Sequence, residues 1–249
     1  MSAPHYSIIV PAFNEEHFLP HSLGAIRTAM AQMTGLRGEV IVVDNNSTDK
    51  TAEVATEGGA QVVFEGVNQI SRARNAGAKA AQGKWLVFVD ADATLTPELL
   101  TLALTNLKSG HSGGGACIAM DAPLPLLLSM ATGFCNLILS TFSIPAGCFI
   151  YCTKEAFDHI GGFNEQVYAT EELYLGLAMR RYAKRTKQPF KVVRTPKMVS
   201  SARKLGWFGA GTLLRHLIIL SLWPRAARSR EACGMWYHQT IDGKKTPQR

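Results

Sequence analysis

Two aspartates separated by one alanine, Asp90 and Asp92, follow the apolar run Leu86–Val89 in the stretch LVFVDADAT. Like charges this close repel, so the pair needs a reason. A turn, or the helix start at Thr96-Pro97, is one reason. A bound cation is the other, because hard divalent ions are held by one or two carboxylates together with ligand oxygens. Asp44 ends a second apolar run, EVIVV (Glu39–Val43). As an acceptor-only side chain it suits N–H and hydroxyl donors of a ligand, and it suits a capping turn equally well. Two more acids, Glu171 and Glu172, open a helical pattern over Glu171–Arg185, where the helix dipole favours negative charge.

The elements around these acids read as alternating strands and helices. Tyr6–Val10, Glu39–Val43, Ala60–Glu65 and Trp85–Val89 are apolar β-rich runs. Between them, Glu15–Met33 carries Leu19, Leu23, Ile26 and Met30 at helical spacing, Thr48 or Asp49 caps a short helix to about Glu57, and Ile70–Ala81 forms a third. Pro97 suits the first position of a fourth helix. Fully apolar strands joined by helices predict a parallel sheet covered on both faces. In such sheets ligands bind beyond the carboxyl ends of the strands, where Asp44, Asp90 and Asp92 all fall. The first strand runs into PAFNEE, not GxGxxG, and no GxxxxGK[ST] is present, which disfavours dinucleotide and P-loop sites. The stretch HSGGGA (His111–Ala116) reads as a Gly-rich turn with His111 in the loop.

Composition supports a globular chain of 249 residues, 47% hydrophobic and 18% charged. The N-terminus has neither the basic nor the long apolar region of a signal peptide. Five cysteines without a CxxC pair are expected to be buried thiols in a reducing compartment. Residues 1–178 hold 9 Lys+Arg and 17 Asp+Glu, whereas residues 179–249 hold 17 and 2. That asymmetry predicts a basic surface for phosphates, anionic lipid headgroups or nucleic acid, or simply a solvated basic face. Leu126–Ile144 is uncharged over nineteen residues but diluted by Ser, Thr, Gly and Asn. It reads as a membrane-facing or acceptor-facing helix, as core, or as a span. Gly206–Leu222 is a second apolar stretch with basic flanks, the makeup of an interfacial helix. Trp207 and Trp236-Tyr237 suit contact with sugar or lipid, or plain packing.

PAFNEE (Pro11–Glu16), VVDNNSTDKT (Val42–Thr51), SRARNAGAKAAQG (Ser71–Gly83), VFVDADA (Val87–Ala93), GCFIYCTKEAFDHIGGFNE (Gly147–Glu165) and ATEELYLGLAMR (Ala169–Arg180) stand in one order. Together they resemble the family 2 glycosyltransferases of GT-A fold, over roughly residues 6–205. The resemblance implies an α/β GT-A fold with a Rossmann-like, mostly parallel central sheet and helices on both faces. It implies a glycosyltransferase domain over 1–205, its donor half about 1–115 and its acceptor and base half about 116–205; beyond it, composition predicts 206–249 to be an apolar, basic, amphipathic C-terminal helical extension.

The same resemblance assigns the donor nucleotide to Pro11, Asn14, Glu15, Asp44, Arg74 and Asp90, and a divalent cation, Mg²⁺ or Mn²⁺, to Asp92 with Asp90. Arg72 and Arg74 are otherwise helix residues in salt bridges. Glu172 takes the family's general-base position and Glu171 is the reserve; the family more often carries an aspartate there. Arg203, in SSARK (Ser200–Lys204), matches a basic element that touches the donor diphosphate. Gly161-Gly162-Phe163 matches a turn beside the base. The implied reaction is inverting transfer of a single sugar from a UDP-, GDP- or dTDP-sugar to a hydroxyl of a sugar or lipid-linked acceptor. The expected place is the cytoplasm or the cytoplasmic face of a membrane, with no nucleic-acid partner. A sugar-phosphate nucleotidyltransferase and a non-catalytic basic binding protein are the competing readings.

Overall fold

Strands that are apolar on both sides must be covered on both sides. The computed structural model describes residues 3–202, 224–233, 240–241 and 244–245, and shows how this chain does so. Arg203, Gly206–Leu222 and Trp236-Tyr237 lie outside the described residues.

The first half alternates β1 (Tyr6–Ala12), α1 (Leu19–Ala31), β2 (Gly38–Asp44), α2 (Thr51–Glu57), β3 (Gln61–Phe64), α3 (Ile70–Ala80) and β4 (Trp85–Val89). A two-residue strand β5 (Ala93–Thr94) and helix α4 (Pro97–Lys108) follow. The second half adds β6 (Gly113–Met120), α5 (Leu126–Phe142), β7 (Phe149–Thr153), α6 (Lys154–Ile160), α7 (Glu171–Thr186) and β8 (Phe190–Ser200). Beyond it lie a 3₁₀ turn at Pro224–Arg228 and the short pair β9 (Thr240–Ile241) and β10 (Lys244–Lys245).

The eight-stranded sheet runs β3-β2-β1-β4-β7-β6-β8-β5. Its first four strands are parallel, as the apolar runs predict. The second half makes it a mixed sheet, because β7 lies antiparallel to both β4 and β6. Residues alternate between two cores along each strand. Ile8, Val10, Val42, Val87 and Val89 pack under α1 and α4. Ile9, Ile41, Val43, Leu86 and Phe88 pack under α3, α6 and α7 with Phe157, Phe163, Leu175 and Met179. The chain order turns back at β1 and β4, so the crevice expected of such a sheet opens at their carboxyl ends.

Three details differ from the sequence expectations. α1 starts at Leu19, not Glu15, because Pro20 occupies the first turn and Glu15 donates its backbone N–H to Thr51. Gly113, Gly114 and Gly115 form strand, not turn: they sit where β6 is squeezed between β7 and β8. A Cβ on Gly114 would collide with the Lys191 carbonyl oxygen and the Tyr151 hydroxyl. Four cysteines are buried, whereas Cys135 on α5 is exposed.

These contacts yield a paired prediction. Gly114→Ala forces a methyl against backbone that cannot yield, and costs about 1–3 kcal/mol. Gly24→Ala, in the middle of α1 with nothing within 4 Å of the new Cβ, stabilises by about 1 kcal/mol. Thermal unfolding should move in opposite directions for the two variants, by roughly 2–4 °C per kcal/mol.

Candidate active site

Loop geometry at the carboxyl edge is set by short polar side chains. Asn14 takes a left-handed backbone, φ 51°, and its Oδ1 accepts from the Thr48 backbone N–H at 2.7 Å. The Asn14 backbone N–H donates to Ser47 Oγ at 3.0 Å. Pro11 ends up in register with Val43, and Ala12 with Asp44. Asp44 is buried, and its Oδ1 accepts from the Ser47 N–H at 3.0 Å. The capping-turn reading of Asp44 is therefore present in the structure, and the carboxylate still stands on the strand edge. Asn45 ties this loop to the next by donating to the Glu65 and Val67 carbonyls. Asp44 and Asp90 are separated by β1 alone, two strand spacings or about 10 Å.

Arg74 joins the carboxyl edge of the sheet to the second acidic pair. Only 1% of it is exposed. Its Nη2 donates to Asp90 Oδ1 at 2.9 Å and to the Gly147 carbonyl at 2.8 Å, and its Nη1 donates to Glu171 Oε1 at 2.8 Å. The guanidinium also lies 5.2 Å from the centroid of Phe163, whose ring stacks edge-on against Phe88. Burial alone would lower the pKa of Arg74, but the charges of Asp90, Glu171 and Glu172 outweigh it and raise the value. Arg74 is thus a permanent cation spent on protein acceptors. It is set back from the open edge, so a contact with nucleotide would run through Asp90.

The first turn of α7 supplies both glutamates. Thr170 precedes them with φ 64°, a left-handed backbone that is costly for a β-branched residue and that marks functional turns in many folds. Glu171 is 5% exposed and is committed to Arg74. Glu172 is half-buried; burial first, and then the neighbouring Glu171 charge, raise its pKa well above the ordinary carboxylate value. A carboxyl poised this way near neutral pH is suited to general-base work. Gly147 allows the approach: a Cβ there would lie 3.3 Å from Arg74 Nη2 and 3.9 Å from Glu172 Cδ.

Asp90 keeps a quarter of its side chain exposed. Asp92 borders a cavity of about 90 Å³ with Phe18, His21, Asp121 and Ser200. Among the described residues no group of three or more His, Cys, Asp or Glu converges as a metal cage. Two hard carboxylates at an open edge, without a cage, fit Mg²⁺ or Mn²⁺ that takes its other ligands from a diphosphate and water.

The other motif residues hold the site together. Asn75 bonds both the N–H and the carbonyl of Phe163, and Arg72 pairs with Glu65 and Glu165, the salt-bridging role open to it from sequence. Gln69 donates to the Glu165 and Val167 carbonyls. One helix, α3, thereby fixes the loop that leads into α7. The Ala227 carbonyl accepts from the Tyr168 N–H, and Cys233 packs on Ala169, which braces the same loop from the other side. Nothing in the sequence pattern singles out Gly147 or Asn45; a glycine and an asparagine gain these roles only through what packs against them.

Residues 7–119 match the glycosyl transferase family 2 model. An uncharacterized glycosyltransferase of Mycobacterium bovis is 37% identical over 110 residues, which cover 44% of this chain and 47% of that protein. The chain thus spans about half the length of the curated relatives it matches. Among solved structures, the mannosyltransferase PcManGT from Pyrobaculum calidifontis, in complex with GDP-Man and Mn²⁺, has a TM-score of 0.64 at 20% identity, over 99% of this chain and 67% of that one. Staphylococcus aureus TarS in complex with UDP-GlcNAc has a TM-score of 0.62 at 18% identity, over 80% and 58%. The fold is that of GT-A glycosyltransferases, and residues 7–119 carry the match to glycosyl transferase family 2.

Proposed function

We propose that this chain catalyses inverting transfer of a single sugar from a nucleoside-diphosphate sugar to an acceptor hydroxyl. The observation that carries the reading is the Arg74 bridge, which fixes the Asp90 edge and the Glu172 helix start in one rigid frame. Support comes also from solved structures of the same fold that hold GDP-Man with Mn²⁺ and UDP-GlcNAc.

In this reading Pro11, Asn14, Glu15 and Asp44 line the nucleotide, with Asp44 accepting from base or ribose donors. Asp92 and Asp90 would hold the divalent cation. When bound, that ion offsets the charge that develops on the departing diphosphate. Arg203 is a further candidate for the diphosphate. Arg74 acts through Asp90, restricting its carboxylate to one orientation. Glu172 accepts the proton of the acceptor hydroxyl as its oxygen attacks the anomeric carbon from the side opposite the diphosphate. Glu171 is spent on Arg74, which leaves Glu172 as the base. The acceptor is a sugar or a lipid-linked sugar.

Three measurements check this. Glu172→Gln keeps the shape of the side chain, so turnover should fall about 10²–10⁴-fold. Thermal stabilisation by nucleotide-sugar with Mn²⁺ should persist in that variant and vanish in Asp92→Ala. The second test is pH. A base must be ionised, so activity is present above its pKa and is lost as pH falls through it. Because the Glu172 value is raised, kcat should decline on acidification well above the ordinary glutamate value of about 4.3. Glu171→Gln removes a like charge and should shift that limb to lower pH. Third, Arg74→Met leaves two carboxylates without their cation and should cost about 3–5 kcal/mol, lowering Tm by roughly 10 °C. Arg74→Lys should recover part of that stability.

A further inference from the structure

Helix α5 is built inside out. Its 17 residues turn Thr132, Asn136 and Ser140 toward the body, with Leu128 and Leu139. Asn136 is its one fully buried side chain: it donates to the Ile118 carbonyl and accepts from the Ile118 N–H. The outer face carries Leu126, Leu127, Met130, Phe134, Leu137 and Phe142, with Leu127 77% and Phe134 63% exposed. Surface helices of globular proteins show the opposite arrangement. An apolar face of this extent marks an interaction surface.

The charges beside it narrow the occupant. Residues 122–153 contain no charged side chain. Two cations of β8 flank the helix: Arg194 Nε donates to Ser140 Oγ at 3.1 Å. Lys197 lines a groove of about 360 Å³ with Ile118, Met120, Leu124 and Thr132. Both are exposed on β8. An uncharged apolar band bordered by lysine and arginine fits lipid tails beside anionic headgroups. At about 25 Å long, α5 can lie in the plane of a bilayer surface. No helix among the described residues is long and apolar enough to cross one.

We propose that α5 docks this protein on an anionic phospholipid surface, with its outer face in the acyl boundary and Arg194 and Lys197 at the headgroups. Five residues after Phe142 the chain reaches Gly147, whose carbonyl holds Arg74. The base site is thereby placed beside the lipid. That it would take acceptor hydroxyls presented at such a surface rests on the glycosyl-transfer reading; the docking itself does not.

Flotation of the full chain with phosphatidylcholine vesicles, with and without phosphatidylglycerol, tests the docking without donor or acceptor. The chain should float with phosphatidylglycerol-containing vesicles, and Leu127→Glu and Phe134→Glu should each lower that partitioning about tenfold. Lys197→Glu should weaken it on the anionic vesicles alone. Thermal stabilisation by nucleotide-sugar and Mn²⁺ should be unchanged in all three, which separates lost docking from lost folding. Asp92→Ala should still float, so failure of the transfer reading leaves this one standing. The proposal is overturned if the chain stays unbound, or if both glutamate variants float as the parent does. It is overturned equally if Phe134→Glu converts an oligomer to monomer without altering flotation, since a second copy would then cover α5.

Discussion

A buried cation fixes the geometry of this protein. Removing a guanidinium from water is unfavourable unless its charge and most of its N–H groups are met inside, and Nη1 and Nη2 of Arg74 are met by Asp90, Glu171 and the Gly147 carbonyl. These partners come from the end of β4, the start of α7 and the segment before β7. A shift of Asp90 or Glu171 leaves a charge unpaired, and a shift of Gly147 leaves a guanidinium N–H unmet. The demand runs the other way as well: Asp90 and Glu171 would repel each other, and each would repel Glu172, without the cation between them.

The sheet makes that meeting possible. Four parallel strands bring Ala12, Asp44 and Asp90 to one edge, each directly after an apolar run. β7 then pairs antiparallel with β4, which returns the chain so that Gly147 and Cys148 lie beside Asp90; the Asp90 N–H donates to the Cys148 carbonyl. The triple glycine of β6 serves the same packing, since a side chain on Gly113 or Gly114 would displace β7 or β8. An α/β half that gathers Asp44 and Asp90 at its carboxyl edge and a mixed half that brings Gly147 beside them are thus one sheet.

Against this rigid centre, α5 stands apart. Its inner face is held by hydrogen bonds of Asn136 and its outer face is apolar. Burial of apolar surface ordinarily drives a helix onto the body; here polar pairing seats the helix and leaves the apolar surface outward. A raised Glu172 pKa belongs to the same logic of local cost, because a carboxyl kept half-dry beside another acid is strained toward the protonated form and is thereby a better base.

The sequence alone determined the strand runs, the helices between them and the edge on which Asp44, Asp90 and Asp92 stand. Apolar periodicity and Pro or Gly punctuation are local properties, and the carboxyl ends of parallel strands must share an edge. Ordered motifs also carried the family resemblance, which the match over residues 7–119 bears out. What the tertiary structure decided depends on partners distant in the chain. Arg74 and Glu171 are 97 residues apart, so the conversion of a helix arginine into the bridge of the site is invisible to spacing. The three glycines of HSGGGA became strand because β7 and β8 close on them, although glycine runs favour turns locally. The apolar face of Leu126–Ile144 was legible as composition, but which side of it faces outward depends on where Asn136 finds a backbone to bond.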